Sequence, residues 1–80
     1  MFYVYAIRSK KDKGLYIGIS ADPARRLLDH NSGMTRSTRS RKPFELVYTE
    51  ECLDRVQARE REKKLKLGAG REFLKKFIPK

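Results

Sequence analysis

Cysteine, histidine, acidic residues and long apolar runs are all scarce in this 80-residue chain, and each shortage removes a class of protein. The one cysteine, Cys52, has no partner for an internal disulfide, so a small secreted fold stapled by disulfides is excluded. One Cys with one His, His30, falls short of the ligand set of a structural zinc site, which excludes a zinc finger. No stretch approaches the roughly 20 apolar residues that a membrane span requires. Met1 to Ile7 is short, alternating and without a basic lead-in, so it does not read as a signal peptide. A reducing, cytoplasmic setting away from membranes is the expectation. With 39% apolar residues there is material for one thin core, so residues 1–80 are expected to form a single domain, with 68–80 as a basic helical extension.

The shortage of acid is the first functional hint. Twenty Lys and Arg stand against ten Asp and Glu, a formal charge of +10. Such an excess suits a phosphate-rich partner, because Lys and Arg neutralise phosphates and release their condensed counterions. Anionic lipid would satisfy the same charge, but the chain has sheet-forming segments and no long basic amphipathic helix. Residues 31–44 carry Arg36, Arg39, Arg41 and Lys42 and no acid, whereas 45–54 carry Glu45, Glu50, Glu51 and Asp54 and no base. Residues 55–80 hold ten basic groups against three acidic ones. A solvated surface is the plain reading of any one such cluster. Asn31-Ser32-Gly33 leads into Met34–Lys42, which reads as a mobile basic loop suited to phosphate contacts.

The elements can be placed coarsely. Phe2 to Ile7 is rich in β-branched and aromatic residues and marks a strand; Leu15 to Ile19 marks a second, joined to it by a polar turn ending at Gly14. Asp22-Pro23 opens a helix, since Asp caps the first turn and Pro fits the first helical position, where an N–H would go unpaired. That helix runs to about Asn31 with Ala24, Leu27 and Leu28 inward. Pro43 to Glu50 is a third strand. Asp54 with Gln57 resembles a capping box and begins a helix ending near Gly68, with Ala58 and Leu65 on one face. A last helix from Arg71 to Phe77 carries Phe73, Leu74, Phe77 and Ile78 as packing residues. The order β-β-α-β-α-α implies a small α/β (α+β) fold, a three-stranded antiparallel sheet covered by helices.

Three features ask for more than a structural role. Tyr5 and Tyr16 lie in paired strands with ten residues between them, although strand aromatics are ordinary. Arg26 and His30 share one helix face. A guanidinium can grip phosphate and an imidazole can move a proton near neutrality, yet Arg26 also stands one turn after Asp22, a competing ion-pair partner. Glu62 sits beside the apolar side of its helix and needs a base or a metal; Lys66, one turn on, offers a structural salt bridge instead.

In combination these residues are far more specific. Tyr3-Val4-Tyr5, ten residues, Tyr16-Ile17-Gly18, then Arg26, His30 and Glu62 resembles the GIY-YIG nuclease domain, above all its small single-domain bacterial UPF0213 or YhbQ-like branch. The likeness runs from about Phe2 to Lys66 and includes Arg25-Arg26-Leu27, His30-Asn31-Ser32-Gly33, Thr38, Pro43, Glu45-Leu46-Val47-Tyr48 and Ala58…Glu62…Lys66. Position by position, it makes Tyr5 and Tyr16 the motif tyrosines, Gly18 the motif glycine, Arg26 the catalytic arginine, His30 the histidine one turn on, and Glu62 the metal-binding glutamate. Tyr3 stands where the family name has Gly, and Ile19 where excision-repair members have Lys.

The resemblance implies hydrolysis of DNA phosphodiester bonds with one divalent cation, Mg²⁺ or Mn²⁺, on Glu62. Arg26 would stabilise the charge gathering on phosphate oxygens. Tyr16 would act as general base, assisted by Tyr5, with a swap of duties between them or with His30 left open. A free phenol titrates near 10, so either would rely on nearby cations. Nucleic-acid contacts are expected from Arg36, Thr38, Arg39, Arg41, Lys42 and Lys66. Single-stranded, duplex and branched DNA, and RNA, all stay open as substrates. A non-catalytic nucleic-acid-binding module using the same basic surface is the alternative, and Glu62 separates the two, because a mere binder gains nothing from an acid aimed at phosphate.

Overall fold

The computed structural model describes residues 1–78. Its elements are β1 (Phe2–Ser9), β2 (Leu15–Ser20), α1 (Pro23–Ser32), a 3₁₀ turn (Arg39–Arg41), β3 (Phe44–Cys52), α2 (Arg55–Leu65) and α3 (Gly68–Lys75). The order is the expected β-β-α-β-α-α, and the strands form one antiparallel sheet in the order β2-β1-β3. The long third strand returns to the free edge of β1, so β1 becomes central. Val4, Tyr5, Ala6 and Ile7 are accordingly buried in succession. Side chains alternate across a strand. Tyr5 and Ile7 join Phe44, with Tyr16 and Leu27 packed against them, while Val4 and Ala6 join Ile17, Cys52, Ala58, Leu65 and Leu74. Each face of the sheet thus has its own small core, with α1 on one side and α2 with α3 on the other.

The helix starts follow the capping chemistry. The Asp22 carboxylate accepts from the Arg25 amide at 3.1 Å with Pro23 in the first turn, and Asp54 accepts from Gln57 at 2.8 Å. The reciprocal arm of the second cap falls one residue early, since the Gln57 side chain accepts from Leu53. Gly33 closes α1 in the left-handed region at φ 83°.

Three expectations need correction. Of the residues placed inward on α1, only Leu27 packs; Ala24 and Leu28 are exposed, and His30 is buried instead. The helix is rolled to bring His30 to bonding partners beneath it. Second, α3 begins at Gly68 rather than Arg71. A Cβ at Gly70 would collide with the Leu65 backbone, so this glycine is what lets α3 start hard against the end of α2. Third, the basic segment is not a free loop. Thr38 is bonded to His30, Ser9 Oγ donates to the Arg41 carbonyl and Asp12 pairs with the Arg41 guanidinium, while just past the segment Asn31 clamps Phe44 through both its amide atoms. No helix among the described residues is long and apolar enough to cross a membrane.

Candidate active site

Gly18 lies directly opposite Tyr5 in the β1–β2 ladder. Opposed residues point to the same face, so the Tyr5 ring lies across the space a side chain at 18 would fill. A Cβ there would be 2.7 Å from Tyr5 Oη. The open approach at this glycine is thus occupied by a phenol of the chain itself.

Beneath that hydroxyl is His30, fully buried, with Nε2 3.0 Å from Tyr5 Oη. On its other side Nδ1 lies 2.7 Å from Thr38 Oγ1. The Thr38 hydroxyl in turn donates to the Thr35 carbonyl at 3.4 Å. With that proton committed, Thr38 accepts from Nδ1–H, so Nε2 is bare and accepts from the Tyr5 hydroxyl. The imidazole is boxed by the rings of Tyr16 at 5.0 Å, Phe44 at 5.8 Å and Tyr5 at 6.0 Å. Burial, then the nearby Arg26 charge, push the His30 pKa down, against a smaller opposing pull from Asp29. The neutral, proton-accepting ring is therefore favoured. Burial likewise pushes the Tyr5 pKa up, opposed by the nearby Arg26 guanidinium and reinforced by Tyr16 and Glu62. Tyr5 keeps its proton and passes it no further than a hydrogen bond to His30.

Arg26, Tyr16 and Glu62 all lie near enough to act on the Tyr5 hydroxyl. The Arg26 guanidinium is partly exposed and pairs with Asp29 at 3.5 Å, not with Asp22, which is spent on the helix cap. Glu62 carries a mostly covered carboxylate whose Oε2 is 3.2 Å from Lys66 Nζ. So Tyr5, Tyr16, Gly18 and His30, drawn from β1, β2 and α1, meet in one place, and Arg26 and Glu62 are near enough for their charges to be felt by the Tyr5 phenol.

The donor set for a metal is spare. No three His, Cys, Asp or Glu side chains cluster for a metal among the described residues. A single carboxylate fits Mg²⁺ or Mn²⁺ that keeps most of its waters, and does not fit a metal needing an all-protein cage.

The expected nucleic-acid contacts divide. Thr38 is corrected: it is fully buried against His30, so its hydroxyl does not face the surface where a nucleic acid would lie. Arg39 donates to the Gly33 carbonyl, and Arg41 pairs with Asp12 at 2.8 Å while lying over the Phe44 ring. Arg41 holds the Asp12 carboxyl down at about 2. Arg36, Lys42 and Lys66 remain exposed. Reading the sequence missed Asn31 as the fastener of β3 and missed Lys13, Arg71 and Lys75, which turn out to border Tyr16. Only the raw charge of those segments signalled the latter.

The GIY-YIG catalytic domain family matches residues 1–73. A UPF0213 protein of Desulfotalea psychrophila is 45% identical over 67 residues, 81% of this chain and 60% of that protein, so the chain spans less than two thirds of that relative. A UPF0213 protein of Staphylococcus saprophyticus is 34% identical over 74 residues, covering 91% of this chain and 89% of the relative. Among solved structures, a UPF0213 protein of Bacillus halodurans determined by solution NMR superposes with a TM-score of 0.56 at 34% identity, over 95% of this chain and 84% of that one.

Proposed function

Because the chain belongs to the GIY-YIG catalytic-domain family, within its UPF0213 branch, a nuclease-type activity is the coarse expectation, and we propose specifically that it hydrolyses phosphodiester bonds of DNA with one divalent cation. A single arrangement supports the reading: the Tyr5 hydroxyl lies over Gly18 and 3.0 Å from His30 Nε2, and the same imidazole packs on the Tyr16 ring at 5.0 Å, one turn along α1 from Arg26.

Tyr16 in its phenolate form takes the proton of the attacking water as the new P–O bond forms and the bond from phosphorus to the 3′ oxygen breaks. Its phenol is only partly covered, whereas Tyr5 is sealed and has committed its proton to His30. Arg26 meets the charge that develops on the non-bridging oxygens, and such preorganised donors are worth more in a water-poor site than in bulk. Tyr5 is a positioning residue: by donating to His30 it leaves its lone pairs to the neighbouring Arg26 guanidinium, which Asp29 steadies from the other side. Thr38 and His30 act behind it. Glu62 would hold Mg²⁺ or Mn²⁺, which when bound supplies stabilisation of the leaving 3′ oxygen.

One observation favours the rival view of a non-catalytic nucleic-acid-binding module. Lys66 at 3.2 Å already gives Glu62 a partner, so the carboxylate is accounted for without a metal. Cleavage of a labelled plasmid and of single-stranded, duplex and branched DNA, with and without each metal, decides between them. Cutting is expected only with Mg²⁺ or Mn²⁺, and Arg26→Ala and Glu62→Ala should each lower it by about 10²-fold or more while the thermal melt stays cooperative. Tight binding with no cutting of any substrate under either metal would establish the module instead.

A further inference from the structure

A groove of about 560 Å³ opens between the β1–β2 turn and α3, and its rim and walls carry five cations: Lys13, Arg41, Lys66, Arg71 and Lys75. No acidic residue lines it among the described residues. The cations come from four separate segments, so this is not one charged helix face met by chance. Asp12, Glu62 and Glu72 partner Arg41, Lys66 and Lys75 from outside the lining, while Lys13 and Arg71 have no ion-pair partner among the described residues.

Two residues tie the groove to the candidate site. Tyr16 lines it and also packs its ring against His30; Lys66 lines it and also pairs with Glu62. The floor is apolar, formed by Leu15, Ile17 and Ile78. A duplex offers a protein mainly phosphates along its outside, which would engage the rim and leave such a floor unused. An unpaired strand has both a charged backbone for the rim and exposed sugar and base surface for the floor, and Tyr16 offers a stacking face at the inner end.

We propose that this groove seats a single-stranded DNA segment adjoining the scissile bond, which makes the preferred substrate one with an unpaired tail. The inference builds on the nuclease reading for its direction, and its test does not depend on cutting. Fluorescence anisotropy with a labelled 12-nucleotide oligo(dT), a duplex of equal length and oligo(rU), all without metal, reads it directly. The single DNA strand should bind the wild-type protein more tightly than either competitor. The triple charge reversal K13E/R71E/K75E should weaken that binding at least tenfold. If three phosphate contacts are lost, the slope of log affinity against log salt should fall by about 2, at roughly 0.7 per contact on a single strand. A reversal of equal charge on the outer face of α2, R55E/R59E/K63E, controls for the overall field and should cost clearly less. All six positions are exposed, so the melts should stay close to wild type, and the milder K13M provides a further check.

Equal losses from the two triple variants, or tighter binding of the duplex or of oligo(rU), would overturn the proposal. A protein that binds the strand through the groove but never cuts leaves the groove standing and removes the nuclease. A protein that cuts while its affinity ignores the groove triple does the reverse.

Discussion

Adding one methyl group at Gly18 should damage the fold more than any other change of that size in the sheet. A Cβ there would lie 2.7 Å from Tyr5 Oη, 2.8 Å from Cζ and 3.1 Å from Cε1, well inside the roughly 3.5–4.0 Å of a good carbon contact. The ring has little room to yield, because it is 1% exposed, packed with Ile7 and Phe44, and tied to His30. Overpacking of this kind costs about 1–3 kcal/mol. If the phenol swings away, His30 Nε2 loses its partner in the interior, which adds about 1–3 kcal/mol. The smaller unfolded-state freedom of alanine offsets about 0.4–1 kcal/mol. Gly18→Ala should therefore lose about 2–4 kcal/mol, or roughly 10–25 °C in Tm for a domain of this size. Tyr5→Phe supplies the cross-check. In the wild-type background it strands His30 and costs about 1–3 kcal/mol, whereas combined with Gly18→Ala it removes the most crowded atom and should cost at least about 1 kcal/mol less. Thermal melts of the four proteins complete the cycle. A Gly18→Ala protein melting within about 2 °C of wild type, or Tyr5→Phe costing the same in both backgrounds, would refute the account of this packing.

Two further outcomes follow from the same buried chain. The His30 pKa is pushed below its ordinary 6.5 in the fold, so under that pH the unfolded chain takes up a proton that the native ring resists. Its contribution is complete above about pH 6.5 and is lost as pH falls through the lowered native value; melts between pH 7.5 and 5.5 should show this slope, and His30→Gln should flatten it. An unchanged slope in the variant would assign the effect elsewhere. Nitrogen NMR of the imidazole should find the proton on Nδ1 in the wild type, with Thr38→Val destabilising by about 1–3 kcal/mol and Thr38→Ser restoring most of the loss. A proton on Nε2 would reverse the direction of the Thr38–His30–Tyr5 chain.

What the sequence discloses about this fold is what short-range chemistry decides. Phe2 to Ile7 can only be a good strand, Asp22-Pro23 and Asp54 with Gln57 are caps whatever surrounds them, and these fix the element order. The motif order of Tyr5, Tyr16, Arg26, His30 and Glu62 likewise marks the site's membership. What stays hidden depends on contacts made across the fold. Periodicity turns α1 inward on Ala24, Leu27 and Leu28, but it cannot weigh a histidine that finds Tyr5 and Thr38 waiting under the helix. Composition makes Met34–Lys42 a loose basic loop; it cannot foresee His30, Ser9 and Asp12 fastening that segment from outside it. Gly68-Ala69-Gly70 reads as a break until Leu65 is seen packed against Gly70. Each miss is a residue whose local preference loses to a partner remote in sequence.

The separate duties proposed for the two tyrosines follow from strand order rather than from the residues themselves. Had β3 paired with the free edge of β2, Tyr16 would lie in the central strand and Tyr5 at a border. Instead β3 returns to β1, with Tyr5 opposite Thr49 on one side and Gly18 on the other. That enclosure removes water from the Tyr5 hydroxyl, raises its pKa and makes a hydrogen bond to His30 the way its proton is satisfied. β2 has no strand on its outer side, so Tyr16 keeps one flank on the basic groove while its ring rests on His30. Of two chemically identical phenols, the enclosed one is suited to hold Arg26 in place, and the one on the border can meet a solvent water and an incoming strand together.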